Sequence, residues 1–533
     1  MFQMRVLVRQ IGLLLLLLNL AVYALTGNYY SEKLYLKPRE SNSLLAQLNF
    51  NFIEHLTDDG VVKFSPVLQS LLAQCKVRTL EFSIAQGFWR NHMFGLPPEL
   101  GGAPGVHLVA HFDASVENVE EHWKTLVRQL NGLFCSSFEV VGETSSARLQ
   151  MPNGPSNSNK EIVWYGAFTG DSICTENVES LKRLLPCHRT GLCQLLNNVE
   201  MQYESLFYSV AFLATLQQNK WTANVQANIL KPIETKTVSV HQLFRQHFST
   251  QCPMANESVV VIEQKPRVVV DLKSSEHNAV QVQLNASQAD IEPLPVEFSS
   301  FVRENHLFRG KFISSVKSLA YAPVSATFTH LVPWQINIWY SSIQFECQSG
   351  ESKYELKLRP RVLRKSPTLI EMSFDIPPQT TCQISYEFQK SFLHFTEYPP
   401  DASNGIHAPG PILTLIPSIE SQLRGSKIKI FGEPSIVLLP TSRLLNAIQR
   451  YLFCLYYCCI DFPAFLDFHY TIRIGNRQAR QRRSTQTNRS ESESYFSSKT
   501  ENRLNSAIIK PNRIITIFNN RQRNTNSKTT CSE

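Results

Sequence analysis

From Ser258 to Pro440 the chain is a succession of short apolar or alternating runs separated by proline and polar turns, which limits its architecture more than any other feature. Ser258 to Ile262, Arg267 to Leu272 and Ala279 to Leu284 open the series, and Gln335 to Trp339 alternates polar and apolar residues. Tyr354 to Leu358, Leu369 to Phe374 and Gln383 to Phe388 continue it. Runs of this length at near-regular spacing are too short for core helices and favour a β-sandwich. The 32 Phe and 17 Tyr agree with this reading, because aromatic side chains suit a pleated, half-buried surface.

The preceding segment, Tyr29 to Pro253, mixes the two periodicities. Leu45 to Phe52 reads as a strand, and Ser65 to Gln74 as a short helix with Val67, Leu68, Leu71 and Leu72 on one side. Val106 to Phe112 reads as a buried strand leading into a helix from about Ser115 to Leu130. That helix places Val116, Val119, Trp123, Leu126, Val127 and Leu130 on one face. Ser115 serves as its N-cap and Gly132 lies just beyond its end. A further helix from Glu176 to Leu185 stops at Pro186, which cannot continue the hydrogen-bond ladder.

The N-terminus is an export signal by pattern. Arg5 and Arg9 precede Ile11 and six consecutive leucines, Leu13 to Leu18, and small residues follow near Ala24. The apolar run is shorter than the ~20 residues needed to span a bilayer, so cleavage near Ala24 is expected. At the other end, Tyr451 to Ile460 is apolar and runs on to Phe468, but Asp461 and Asp467 interrupt it. The basic cluster Arg473, Arg477, Arg480, Arg482 and Arg483 follows at once, the flank of a type I anchor. Its alternative is an interfacial hairpin or a buried terminal helix.

The expected fold is therefore a β-rich α+β lumenal part followed by a marginal single transmembrane segment. Residues 1–24 form the signal and 28–253 an N-terminal mixed α/β domain. Residues 258–440 form a β-sandwich-like domain, 451–468 the span and 473–533 a basic disordered tail. The formal charge of +8 belongs to that tail, which carries 13 Lys/Arg against 4 Asp/Glu. The rest is close to neutral, so no nucleic-acid surface is expected on the folded body.

Export changes the meaning of the 12 cysteines, since disulfides persist in an oxidising lumen. No set of His/Cys residues has zinc-ligand spacing, and no cofactor motif is present. Cys187 falls in the turn after the proline-stopped helix, followed by His188 and Arg189. That placement reads as an exposed thiol whose thiolate the basic residues favour. An ordinary intrachain bridge, for example to Cys174 or Cys193, remains the alternative. Asn256-Glu-Ser258 and Asn285-Ala-Ser287 are acceptor motifs for lumenal glycosylation, whereas Asn488-Arg-Ser490 lies in the tail.

Catalysis finds little support. There is no nucleophile elbow, no H-E-x-x-H pair and no phosphate-cradling glycine loop. His107, His111 and His122 lie near Asp113 and Glu121, but on a strand and a helix where structural roles suffice. Cys187-His188 is adjacent only in sequence, which does not supply a nucleophile–base geometry.

Several segments in order resemble the PIG-T family. They include Gln86-Gly87-Phe88-Trp89-Arg90 within LEFSIAQGFWR, and His122-Trp123-Lys124 leading to Leu133-Phe134-Cys135. Ile173 to Cys187 (ICTENVESLKRLLPC) follows, then Gln251-Cys252-Pro253 with Glu257-Ser258, and Val332-Pro333-Trp334. Phe395 to Ile406, Ile416-Pro417-Ser418 and Leu438-Leu439-Pro440 complete the set.

The resemblance implies a type I glycoprotein of the endoplasmic reticulum membrane and a non-catalytic subunit of the GPI transamidase. It implies partners in the other transamidase subunits, with proprotein and GPI lipid as substrates of the complex, and no cofactor. It also implies an interchain disulfide from Cys187 to a caspase-like catalytic subunit (PIG-K), which would tether that subunit and make its association effectively intramolecular. The QGFWR residues read as core packing, with Phe88 and Trp89 buried and Arg90 capping a carbonyl or carboxylate.

The chain departs from the family pattern in its short, interrupted span, its long polar tail, and Cys193, an additional cysteine that competes for pairing. Two other readings suit the signal and the strands: a secreted or cell-surface β-sandwich adhesion or receptor protein, and a self-sufficient thiol hydrolase. Neither accounts for the ordered motifs.

Overall fold

The computed structural model describes residues 28–439 except 40–41, 56–63, 135, 143, 152–160, 218, 234–236, 247–250, 265–266, 273–280, 284–293, 349, 351–352, 395–396, 398–404 and 417–426. The expected signal, membrane span and tail, and with them Cys454, Cys458 and Cys459, lie outside the described residues, as do Cys135, Asn285 and Asn488. Among the described residues no helix is long and apolar enough to cross a membrane.

The first half is organised by one ten-stranded sheet. Its strands are β1 (Tyr29–Arg39), β2 (Ser43–His55), β3 (Val77–Gln86), β4 (Gly105–Asp113), β5 (Ser146–Arg148), β6 (Glu161–Phe168), β7 (Phe207–Gln217) and β8 (Lys220–Pro232). β9 (Thr237–Ser239) stands apart, and β10 (Glu257–Ile262) and β11 (Val268–Asp271) complete the sheet. The order is β11-β10-β1-β2-β8-β7-β3-β4-β6-β5, and every pair is antiparallel except β1 with β10. β12 (Gln281–Gln283) pairs with β9 in a separate ribbon.

The helices are α1 (Pro66–Gln74), the short α2 (Asn91–Phe94), α3 (Val119–Phe134), α4 (Thr175–Arg183), and the short α5 (Glu200–Glu204) and α6 (Val240–Phe244). α1, α3 and α4 share one core with the sheet. Leu68, Leu71 and Leu72 of α1, Trp123, Leu126 and Leu130 of α3, and Val178 and Leu181 of α4 meet Phe82, Leu108 and Phe212 of the strands. Each large side chain buried there contributes on the order of 2–3 kcal/mol by removal from water.

The expected elements recur with shifted ends. α1 buries Leu68, Leu71 and Leu72 as expected but leaves Val67 exposed. α3 begins at Val119, after Asn118 takes a left-handed φ of 52°. It then runs through Gly132 to Phe134, whose buried ring packs on Phe82. Ser115 is therefore not its N-cap and Gly132 not its terminator, because burial of Phe134 outweighs the ~1 kcal/mol cost of an internal glycine.

β10 and β11 correct a larger expectation. The sequence pattern puts them first in the sandwich, yet they extend the ten-stranded sheet through β1. Val259 to Ile262 are all buried. A strand covered on both faces reads as a continuous apolar run, so its pattern cannot say which sheet it joins.

The sandwich itself has two five-stranded sheets. One contains β13 (Val296–His306), β14 (Arg309–Ser318), β16 (Ile336–Ile338), β17 (Gln344–Cys347) and β20 (Thr381–Lys390). The other contains β15 (Val324–Val332), β18 (Tyr354–Arg359), β19 (Thr368–Ile376), β22 (Ile412–Ile416) and β23 (Ile428–Phe431). β21 (Ile406–Ala408) pairs with β24 (Ser435–Val437). Phe312, Val316 and Ile384 of the first sheet and Phe328, Met372 and Leu413 of the second fill the space between them.

The sandwich packs against the ten-stranded sheet. Leu331 and Leu369 lie on Ala147, Tyr165 and Ala167, and Lys429 Nζ reaches Glu81 at 2.8 Å. Glu371, 1% exposed, accepts the backbone N–H groups of Gln150 and Met151 at 2.7 and 2.8 Å.

Candidate functional site

Cys187 lies where the sequence placed it, just past the end of α4, whose last turn closes with the Leu185 N–H donating to Lys182 O. The expected exposed thiol is not found. Cys187 is 5% exposed and is bridged to Cys252, with Cα atoms 5.7 Å apart. The partner is neither Cys174 nor Cys193, the two pairings considered from spacing. The chain from Pro186 turns inward, so the sulfur meets the segment leading into β10 and not solvent. His188 and Arg189 do remain exposed. With Glu179, Lys182, Arg183 and Asn197 they line a groove.

Glu32 is the third member of this site. It sits on β1 at 0% exposure, and one of its carboxylate oxygens and both sulfurs lie within 4.8 Å of one another. Oε1 accepts the Tyr30 hydroxyl at 2.9 Å, and Oε2 accepts the Leu192 N–H at 3.0 Å. Leu192 is presented by Gly191, whose φ of +65° suits glycine. A Cβ there would come within 2.9 Å of the Cys252 Cβ and into the Glu32 carboxylate. Burial pushes the Glu32 carboxyl above its usual range, outweighing the opposing hydrogen bonds from Leu192, Tyr30 and Ser258. Burial also drives the nearby Cys193 thiol up to about 12.

Two sulfurs and one carboxylate are also a possible metal donor set. Here the sulfurs are spent on each other, which leaves a single oxygen, so the chemistry of the site is that of a disulfide. Cys347 and Cys382 form a second bridge, between paired positions of β17 and β20. Cys75, Cys174 and Cys193 are free thiols.

The QGFWR segment is packing through Trp89, with two corrections, at Phe88 and Arg90. Trp89 is 1% exposed, donates its indole N–H to Gly95 O at 2.9 Å, and stacks edge-on with Phe94 and Phe207. Gln86 and Phe88 are half-buried, while Gly87 turns with φ +85° beneath Leu206 O. Among the described residues the exposed Arg90 caps no carbonyl or carboxylate; its guanidinium lies 3.9 Å from the Met93 sulfur. Asn256 is exposed, and its Oδ1 accepts the Tyr30 N–H, so the expected acceptor asparagine sits at the surface just before β10.

The three histidines are not gathered into a site. His107 is buried between the Tyr165 hydroxyl (3.0 Å) and Pro104 O (3.1 Å), and burial lowers its pKa to about 4. His111 pairs with Glu161 at 3.1 Å, and His122 is half-buried on α3.

Glu32 is the residue that sequence reasoning missed. Its signal was available in Tyr30-Ser31-Glu32-Lys33-Leu34-Tyr35-Leu36, where the alternation puts a glutamate on the same inward face as Tyr30, Leu34 and Leu36. A carboxylate at an inward position is rarely there without a partner.

Taken together, these features define a disulfide-stapled, β-rich chain in which a sandwich is docked on a large antiparallel sheet. A match to the family model described as "Gpi16 subunit, GPI transamidase component", over residues 13–231 and 218–445, shows that the chain belongs to that family. The mouse GPI-anchor transamidase component PIGT is 23% identical over 489 residues, covering 77% of this chain and 84% of that one. The GPI transamidase component GPI16 of Saccharomyces cerevisiae is 23% identical, covering 79% and 87%. Among solved structures, the yeast delta-COP-I mu-homology domain overlaps 73% of this chain and 80% of that one, at 7% identity and a TM-score of 0.15.

Proposed function

We propose that the chain is a non-catalytic scaffold subunit of the GPI transamidase in the endoplasmic reticulum membrane, mainly lumenal and anchored by one C-terminal span. It holds the caspase-like catalytic subunit through a disulfide at Cys187 and places it for the transfer of GPI lipid to proproteins. The family match, which covers both the ten-stranded sheet and the sandwich, carries this reading. The exposed Asn256 and, from the sequence, Asn285 are its proposed glycan sites.

Because Cys187 is bonded to Cys252 within the chain, the interchain link arises by exchange. A partner thiolate attacks the Cys187 sulfur, the bond to Cys252 breaks, and Cys252 ends as a thiol. One disulfide replaces another, so no external oxidant enters. The basic residues Arg183, His188 and Arg189 beside the bridge favour the incoming thiolate.

The test is a non-reducing gel of the complex isolated from membranes. A species containing both this chain and the catalytic subunit is expected, and it should vanish in Cys187→Ser. A chain that migrates alone in active wild-type complex would contradict the tether.

A further inference from the structure

We propose that Glu32 is the proton donor for opening the Cys187–Cys252 disulfide, delivering a proton to the departing Cys252 sulfur as a thiol attacks Cys187. The inference rests on the exchange reading above and adds to it a residue and a chemical role.

The observations concern place first. Glu32 is fully buried on β1, yet among the described residues it pairs with neither an arginine nor a lysine; its neighbours are the Tyr30 hydroxyl, the Leu192 N–H, the Ser258 hydroxyl and the two sulfurs. Two donors hold it in one orientation, with a carboxylate oxygen no more than 4.8 Å from either sulfur. Those hydrogen bonds satisfy the buried Tyr30 and Leu192 donors and at the same time fix the carboxyl group beside the disulfide.

The direction of opening follows from access. Cys187, at 5% the less buried of the two cysteines, directly precedes His188 and Arg189, which with Arg183 line an exposed groove. Cys252 is 2% exposed and lies against Gly191 and Glu32. Attack at Cys187 expels the Cys252 sulfur, which lies beside Glu32.

That sulfur needs a proton. In the same core burial lifts Cys193 to about 12, so a bare Cys252 thiolate there would be a poor leaving group. The atoms balance with Glu32 as the source. The partner sulfur bonds to Cys187, the Cys187–Cys252 bond breaks, its electron pair goes to Cys252 Sγ, and the Glu32 proton joins it. Glu32 is left as a carboxylate, held by Tyr30 and Leu192, until solvent returns the proton.

Other titratable groups around the site are Tyr30 and Cys193, with Lys182, Glu179 and Tyr208 beyond Cys193. Tyr30, Tyr208 and Cys193 all titrate well above neutrality, so none of them supplies a proton readily near pH 7.

The experiment uses the oxidised full-length chain, with reduced glutathione as the attacking thiol, from pH 5.5 to 8.5. Alkylation and peptide mapping follow each disulfide separately. Cys347–Cys382 is an internal reference, because among the described residues no carboxylate lies within 4.8 Å of both its sulfurs. Rates are expressed per glutathione thiolate.

The reference should then be flat with pH, while Cys187–Cys252 should open fastest in mild acid and slow by about tenfold as Glu32 loses its proton. Glu32→Gln should lower the mild-acid rate by about tenfold and remove the slope, and Glu32→Asp should restore part of both. Identical pH profiles for the two wild-type disulfides would overturn the proposal, as would a Glu32→Gln chain that folds and behaves as wild type. The wild-type comparison decides even if the variant does not fold. No partner subunit takes part, so failure here leaves the tether standing, and failure of the tether leaves this result intact.

Discussion

Cys187 and Cys252, 65 residues apart, are joined across the end of α4 and the entry to β10. The bond closes a loop that contains α5, β7, β8, β9 and α6. It thus fixes the entry to β10 to the end of α4 by a link other than backbone pairing with β1.

Removing that bond should be costly in the isolated chain. Closing a 65-residue loop restricts the unfolded state by about 4 kcal/mol in the chain-entropy view. Cys252→Ser should therefore lower the denaturant midpoint, and in reductant, which also opens Cys347–Cys382, wild type and variant should share one midpoint. The measurement is urea unfolding with and without reductant.

Trp89 makes a second test. Trp89→Ala removes a buried ring packed on Phe94 and Phe207 and should cost about 3–5 kcal/mol. Trp89→Phe keeps most of the packing but leaves Gly95 O without its indole donor, for about 1–3 kcal/mol. Arg90→Ala should change stability little, since Arg90 is exposed. Thermal unfolding of the three variants checks the order.

The buried histidines set a pH dependence. His107 and His330 each sit between a tyrosine hydroxyl and a proline carbonyl, and burial lowers both to about 4 from 6.5. The folded state therefore binds these protons less readily than the unfolded state. Their stabilisation is complete above pH 6.5 and is lost as pH falls from 6.5 to 4, on the order of 3 kcal/mol for each. Unfolding followed at pH 7, 6, 5 and 4 should show this loss, and His330→Asn should remove about half of it.

Glu371 joins the sandwich to the sheet. Replacing it with alanine leaves the Gln150 and Met151 N–H groups without their acceptor, at about 2–4 kcal/mol. Limited proteolysis should then cut near residue 150 faster than in wild type, with the sandwich core unchanged.

Much of this architecture was legible in the sequence. The short alternating runs from Tyr354 to Phe388 became β18, β19 and β20, and the Val119–Leu130 stripe became the buried face of α3. Those patterns are local, and local periodicity reports which face is buried. What periodicity lacks is the partner. Val259 to Ile262 read correctly as a strand but joined β1 and not the sandwich, because a run buried on both faces fits either sheet. Cysteine spacing has the same weakness: Cys174 and Cys193 are nearer in sequence to Cys187, yet β10's pairing with β1 brings the segment holding Cys252 beside it. Glu32 was overlooked because its significance depends on that same long-range pairing.

The most direct test of the central claim is the sulfur map of the assembled transamidase. Peptide mapping of the native complex under acid quench should find Cys187 bonded to a cysteine of the caspase-like subunit, with Cys252 alkylated as a free thiol. Finding Cys187 still bonded to Cys252 throughout an intact, active complex would contradict it.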